Sequence, residues 1–173
     1  KIEKDILFIR EIEELRRIEK KNDSIEIGAA LTYSELLDSD IIPDILKQAI
    51  SKIAAPAIRN LGTLGGNICN ASPAGDSLPV LYSLNAKLLL KSPKGERIIA
   101  LKDFITGPGK KNIEKNEILE KIIIDSQDWH FAEFRKVGTR KAQALSKLSV
   151  CFIGEKDGSF RLSFGAVAPR IVR

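Results

Sequence analysis

An α+β fold in two unequal parts is what this sequence predicts, and three observations carry the prediction. Up to about residue 126 the chain mixes strand-type alternation with helix signals. Beyond that point it reads almost entirely as strand, with Asp157-Gly158 placed between two apolar runs as a tight hairpin turn. The 173 residues, with 43% apolar and 29% charged, suit one soluble domain or two small ones.

Taken in order, Ile6-Leu7-Phe8-Ile9 is an apolar run expected to form a strand. Ile12, Leu15 and Ile18 follow at spacing three and predict a short amphipathic helical turn. Asn22-Asp23-Ser24 is a turn, and residues 24–29 alternate as a strand. Thr32 with Glu35 three residues on makes a capping box, in which the hydroxyl and the carboxylate each satisfy a free backbone N–H. Pro43 opens a second helix, since its missing N–H costs nothing in a first turn, and Ile45, Leu46, Ala49, Ile50 and Ile53 form its apolar stripe until Pro56 ends it.

Residues 58–76 then hold four of the twelve glycines among small polar residues. Gly and Pro sit badly inside helices and strands, so this stretch is expected to be a loop. Its free N–H groups would make an anion-binding concavity, a site for something flat and phosphorylated; the alternative is a tight glycine turn between buried elements. Asp76 or Ser77 caps a short apolar helix through Leu84. Residues 87–90 and 97–100 form a hairpin around Pro93-Lys94-Gly95, and Gly107-Pro108-Gly109-Lys110-Lys111 is a loop without Walker spacing. Residues 118–124 and 129–137 read as paired strands, and residues 150–153 and 160–164 as a second hairpin.

Composition excludes several classes. No apolar run approaches the ~20 residues of a membrane-spanning helix. Lys1 to Asp5 are mostly charged, so no leader is expected; the absence of Met suggests that the natural start lies elsewhere. Cys69 and Cys151 are too few for a disulfide framework, which suits a reducing cytoplasm. The net charge of +5 is concentrated in residues 129–173, with nine basic against three acidic residues, but scattered basic residues without interleaved aromatics argue against nucleic acid. One histidine, His130, placed in a strand beside Trp129, offers no triad and no metal set. Any redox chemistry must come from a cofactor.

Arg59-Asn60-x-Gly62-Thr63-Leu64-Gly65-Gly66-Asn67 followed by Ala71-Ser72-Pro73-x-x-Asp76 resembles the central motif of the FAD-binding subunit of molybdenum hydroxylases, the family of the xanthine dehydrogenase flavin domain and the carbon monoxide dehydrogenase medium subunit. The resemblance implies an FAD-binding domain over residues 1–126, of the PCMH and CO dehydrogenase flavoprotein type, and a mainly antiparallel C-terminal domain over 127–173. It implies that Thr63, Gly65, Gly66 and Asn67 lie along the pyrophosphate and ribityl chain, that Asn70 and Ser72 face the cofactor, and that Asp76 accepts hydrogen bonds from ribityl or ribose hydroxyls. Ala54 would border the adenine or isoalloxazine, and Ile118 with Leu119 would pack near it. Residues 134–140 look like the strand-end motif whose basic residue, here Lys136, approaches the flavin and favours its reduced, negatively charged form; a basic strand edge is the plainer reading. Gly165-Ala166-Val167-Ala168-Pro169 matches the family's C-terminal segment.

Implied partners are an iron–sulfur subunit carrying [2Fe-2S] clusters and a subunit carrying the molybdenum cofactor, with NAD, a quinone or oxygen as acceptor. Two departures shape the expectation. The N-terminal βα unit with its Ala-Gly-Gly-Thr motif, the second pyrophosphate holder, and the helices that complete the C-terminal domain are not in this sequence, so a fragment or short form is expected. The alternative function is a non-catalytic interaction domain that keeps the fold without flavin.

Overall fold

The computed structural model describes residues 6–126, 129–140 and 143–173. The charged residues 1–5 and the expected boundary at 127–128 lie outside them. Ile6, Leu7 and Phe8 do not form the expected strand; they are exposed, because their apolar run meets no strand edge among the described residues. A 3-10 turn, Glu13–Leu15, buries Leu15, and Ile18 leaves it to begin β1 (Ile18–Lys20). The stripe at spacing three is thus divided between a helical turn and a strand.

β1 pairs antiparallel with β2 (Ser24–Gly28), which buries Ile25 and Ile27. α1 (Tyr33–Asp38) carries the capping box: the Thr32 hydroxyl accepts from the Glu35 N–H at 3.3 Å, and Glu35 accepts from the Thr32 N–H at 2.8 Å. Burial pushes the Glu35 pKa up, but the Thr32 bonds and Arg16 outweigh it and hold the carboxyl below its ordinary value. α2 (Asp44–Ser51) has Pro43 at its N-cap and buries Ile45, Leu46, Ala49 and Ile50. It stops at Ser51, and Pro56 does not terminate it but opens a further helix, α3 (Pro56–Arg59), where proline's fixed φ suits a first turn.

The glycine segment is a loop only in part: Gly62 and Gly75 lie outside any helix, but Gly65 and Gly66 lie within one. Thr63 caps α4 (Leu64–Asn70), which contains Gly65 and Gly66 and ends at Ala71 in the left-handed region with φ 50°. Gly65 is needed for closeness rather than flexibility: a Cβ there would stand 2.6 Å from both the Cβ and the carbonyl oxygen of Ala29. The helix therefore lies against the chain just after β2 at a distance only glycine permits. α5 (Ser77–Ser83) follows with every residue buried.

β3 (Lys87–Ser92) and β4 (Gly95–Ala100) form the expected hairpin. After α6 (Leu101–Phe104), β5 (Ile105–Gly107) and β6 (Lys110–Lys111) pair across the Pro108-Gly109 turn, so the expected loop is a small hairpin, its Gly109 N–H donating to the Ala71 carbonyl. β7 (Ile118–Asp125) does not pair with β8 (Phe131–Gly138). It lies between β2 and β3 in a five-stranded sheet of order β1-β2-β7-β3-β4, so both its edges are already occupied. β8 pairs instead with β9 (Ser146–Gly154), and β9 with β10 (Phe160–Gly165), giving a three-stranded antiparallel sheet. His130 precedes β8 rather than lying within it.

α5 packs against β9, β10, α2, α4 and α6, so one hydrophobic core runs from Ile25 and Leu88 to Phe134, Cys151 and Ile153. The side of the three-stranded sheet turned away from this core carries Phe131, Phe152 and Phe160, with ring centroids 6.0 and 5.9 Å apart and Phe131 and Phe160 exposed. Among the described residues no helix is long and apolar enough to cross a membrane.

Gly65→Ala is expected to lower stability by about 1–3 kcal/mol through overpacking against Ala29. Urea unfolding with an unchanged m-value checks it; an unchanged midpoint would contradict the close contact.

Candidate functional site

The backbone donors of the first turn of α4 are all engaged within the chain. Leu64 N–H donates to the Leu31 carbonyl at 3.2 Å, Gly65 N–H to Ala29 at 3.1 Å, and Asn67 N–H to Thr63 at 3.1 Å. The Gly66 N–H donates to the Thr63 hydroxyl at 3.0 Å. The anion-binding concavity expected from free N–H groups is therefore not present here, because the cap and the neighbouring β2–α1 connection consume them. What the segment builds instead is side-chain chemistry on the later turn of α4 and the approach to α5.

There a cavity of about 330 Å³ opens. Asn67 and Asn70 from α4, Ser72, Gly75 and Asp76 from the α4–α5 connection, and Lys136 from β8 supply its polar wall. Ile53, Ala54, Ala55 and Ile58 supply an apolar wall, and Gln143, Ala144 and Leu145 from the β8–β9 connection face it from the second sheet.

The charged centre is the pair Asp76–Lys136. Lys136 Nζ lies 2.6 Å from Asp76 Oδ2, with side-chain exposures of 12% and 5%. Lys136 also donates to the Lys52 carbonyl at 3.1 Å, and the Ser146 hydroxyl donates to Asp76 Oδ1. Each charge is thus satisfied from the two sides that burial would otherwise leave bare. Asp76 stands at the N-cap position of α5 but does not cap it; its carboxylate is committed to Lys136 and Ser146. Beside it, the Ser77 hydroxyl donates to Asn67 Oδ1 at 2.8 Å, which fixes the Asn67 amide.

Of the residues singled out from sequence, Ala54, Asn67, Asn70, Ser72, Asp76 and Lys136 meet on this cavity, although Lys136 is remote in sequence from the others. Thr63, Gly65 and Gly66 lie off it, at the start of α4, and Leu119 lies in the five-stranded sheet opposite Leu90, with Ile118 beside it. Sequence reasoning missed Ile58, the 143–145 segment and Ser146. Only the position of 143–146, directly after the Arg135-Lys136 motif, hinted at them. Ala54 and Gln143 hold φ of 45° and 51° on the cavity wall, left-handed values that side chains rarely adopt and that cluster at functional sites.

Other chemistry is not assembled. Among the described residues no group of His, Cys, Asp and Glu could hold a metal ion, and His130 is exposed. Burial pushes the Cys151 thiol up to about 11, and the half-buried Cys69 thiol is raised by the same cause, so neither is a ready nucleophile.

Residues 2–126 match the model of the FAD binding domain in molybdopterin dehydrogenase. The chain belongs to that family. It is 36% identical over 148 residues to the nicotinate dehydrogenase FAD-subunit of Eubacterium barkeri, covering 82% of this chain and 50% of the relative. It is 37% identical over 179 residues to the xanthine dehydrogenase FAD-binding subunit of Escherichia coli O157:H7, covering 97% and 61%. Among solved structures, reconstituted CO dehydrogenase from Oligotropha carboxidovorans superposes with a TM-score of 0.89 at 27% identity, covering 94% of this chain and 59% of that one. Quinoline 2-oxidoreductase from Pseudomonas putida 86 gives the same score at 25% identity. The chain thus spans between half and three-fifths of the length of these relatives.

Lys136→Met leaves Asp76 buried with Ser146 as its main partner, and is expected to cost about 3–5 kcal/mol of stability. Adding Asp76→Leu should recover part of that loss. Denaturant unfolding of the two variants checks it; equal costs would mean that the pair is not coupled.

Proposed function

We propose that this chain is the FAD-holding part of an electron-transferring oxidoreductase subunit, working beside an iron–sulfur subunit and a molybdenum subunit in the cytoplasm. The observation that carries the reading is the meeting of Asn67, Asn70, Ser72, Asp76 and Lys136 on one cavity in a chain of this family. FAD, when bound, supplies the electron-carrying chemistry that no side chain here can provide.

The residues present fit part of that cofactor. The amides of Asn67 and Asn70 and the Ser72 hydroxyl offer donors and acceptors for a ribityl chain or for the heteroatom edge of a flat ring. Ile53, Ala54, Ala55, Ile58 and Leu145 offer apolar surface for its faces. Lys136 brings a cation to the same wall, which would favour electron density on a ring placed there. A volume of about 330 Å³ is at the small end of the ~300–1,000 Å³ usual for ligand sites. It accommodates a portion of FAD rather than the whole. In this reading residues 1–126 form the FAD-binding unit and 127–173 the beginning of a C-terminal domain of the CO dehydrogenase flavoprotein type. NAD, a quinone or oxygen would take the electrons onward.

One observation favours the second reading, an interaction domain without flavin. The N–H groups of Leu64, Gly65, Gly66 and Asn67 are all spent internally, so the first turn of α4 offers a pyrophosphate no free backbone donor. The two readings part in one titration. FAD added to the purified chain should shift its visible absorption and quench its fluorescence. Asn70→Ala should weaken binding roughly three- to tenfold by removing one hydrogen-bonding group while leaving the unfolding midpoint in place. No spectral change at any FAD concentration would overturn the flavin reading and leave the interaction domain.

A further inference from the structure

Among the described residues that line the cavity, only Asp76 and Lys136 are ionisable, and they are paired with each other at 2.6 Å. The wall therefore carries no net charge, although the whole chain carries +5. It offers a phosphate no unpaired cation, and it suits an uncharged body.

Hydrogen bonds inside the chain decide what else the wall can offer. An asparagine side chain has one acceptor oxygen and two N–H donors, a serine hydroxyl has one donor, and an ammonium has three. The fully buried Ser77 hydroxyl donates to Asn67 Oδ1 at 2.8 Å, which leaves Nδ2, with its donors, as the end of that amide available to the cavity. The Ser72 hydroxyl accepts from the Ala74 N–H at 3.3 Å and gives its own proton to no acceptor among the described residues. Lys136 spends two N–H groups, on Asp76 at 2.6 Å and on the Lys52 carbonyl at 3.1 Å, and keeps a third. Asp76 has both oxygens engaged, Oδ2 by Lys136 and Oδ1 by Ser146, and its side chain is 5% exposed. The groups that the chain holds in place thus present donors, while the exposed amides of Asn70 and Gln143 can turn either way.

We propose that this cavity selects a flat, uncharged heteroaromatic ring by an edge made only of acceptors. Asn67, Ser72 and Lys136 supply the donors. Ser77 is a positioning residue, which acts through Asn67 by setting the direction of its amide. This selection rests on the flavin reading above and narrows it to one part of the cofactor. An oxidised isoalloxazine has acceptor-only edges, N1 with O2 and O4 with N5. A ribityl chain, whose hydroxyls both donate and accept, and a charged pyrophosphate match the wall less well.

The test is fluorescence titration of the chain with FAD and with lumiflavin, which is the ring without polyol or phosphates. Lumiflavin should bind nearly as tightly as FAD and keep its affinity as salt is raised. 1-Deazalumiflavin and 5-deazalumiflavin each replace one ring nitrogen by C–H with little change of shape. One of the two should bind roughly three- to tenfold more weakly than lumiflavin, and its identity names the edge that is read. Asn67→Asp keeps an acceptor for Ser77 but turns the cavity-side donor into an acceptor, so lumiflavin affinity should fall about tenfold or more. Ser77→Ala frees the Asn67 amide to turn over. It should narrow the gap between lumiflavin and the weaker analogue, a ratio that a merely loosened wall would leave unchanged. The comparison of the three rings needs no substitution, so it stands even if a variant fails to fold. FAD binding without lumiflavin binding, equal affinity for all three rings, full lumiflavin affinity in Asn67→Asp, or an unchanged ratio in Ser77→Ala would each overturn the selection and leave flavin binding in place. Binding of neither FAD nor lumiflavin would overturn the flavin reading and the selection together.

Discussion

The complete burial of α5 is the constraint on which the rest of the structure depends. A helix buried on every side has no solvent face, so it must be wrapped. Here the wrapping is shared between β9 and β10 of one sheet and the helices α2, α4 and α6. Neither part of the chain can cover it alone. The two serines that α5 carries inward are both met by neighbouring elements. Ser77 is met by Asn67, and Ser83 by Ser163 at 2.8 Å and, through its carbonyl, by Arg161. The three-stranded sheet and the helices α2, α4 and α6 are therefore clamped to one short helix, with the Asp76–Lys136 cavity open at its N-terminal end.

That arrangement explains why the charged pair lies where it does. Asp76 enters α5 at the point where the sheet carrying Lys136 passes the connection from α4. A carboxylate there would be uncompensated without β8, and Lys136 would lack its main partner without α5. The pair thus ties residues on either side of the sequence position where the fold changes from mixed to all-strand. It makes the wall of the cavity a joint property of both parts.

Much of this was legible from the sequence because it is local. The Thr32–Glu35 capping box, the apolar stripe of α2, the hairpins at residues 87–100 and 150–164 and the grouping of Asn67, Asn70, Ser72 and Asp76 follow from short-range rules or from the family motif. What was not legible is set by distant neighbours. Gly65 and Gly66 read as helix breakers, whereas Gly65 is required because Ala29 lies against it. β7 and β8 read as partners because they are consecutive, yet β7 had both edges taken by strands from earlier in the chain. Free N–H groups were expected at α4, but Leu31 and Ala29 supply carbonyls that no local pattern announces. The apolar run at Ile6 to Ile9 has the composition of a strand without a described edge to join.

The neighbouring phenylalanines on the outer side of the three-stranded sheet have a colloidal consequence. Phe131, Phe152 and Phe160 form a contiguous aromatic strip across three strands, and a surface of that kind orders water unfavourably over its whole extent. An exposed apolar strip of this kind is expected to favour face-to-face association of the isolated chain at high concentration, despite its net charge of +5.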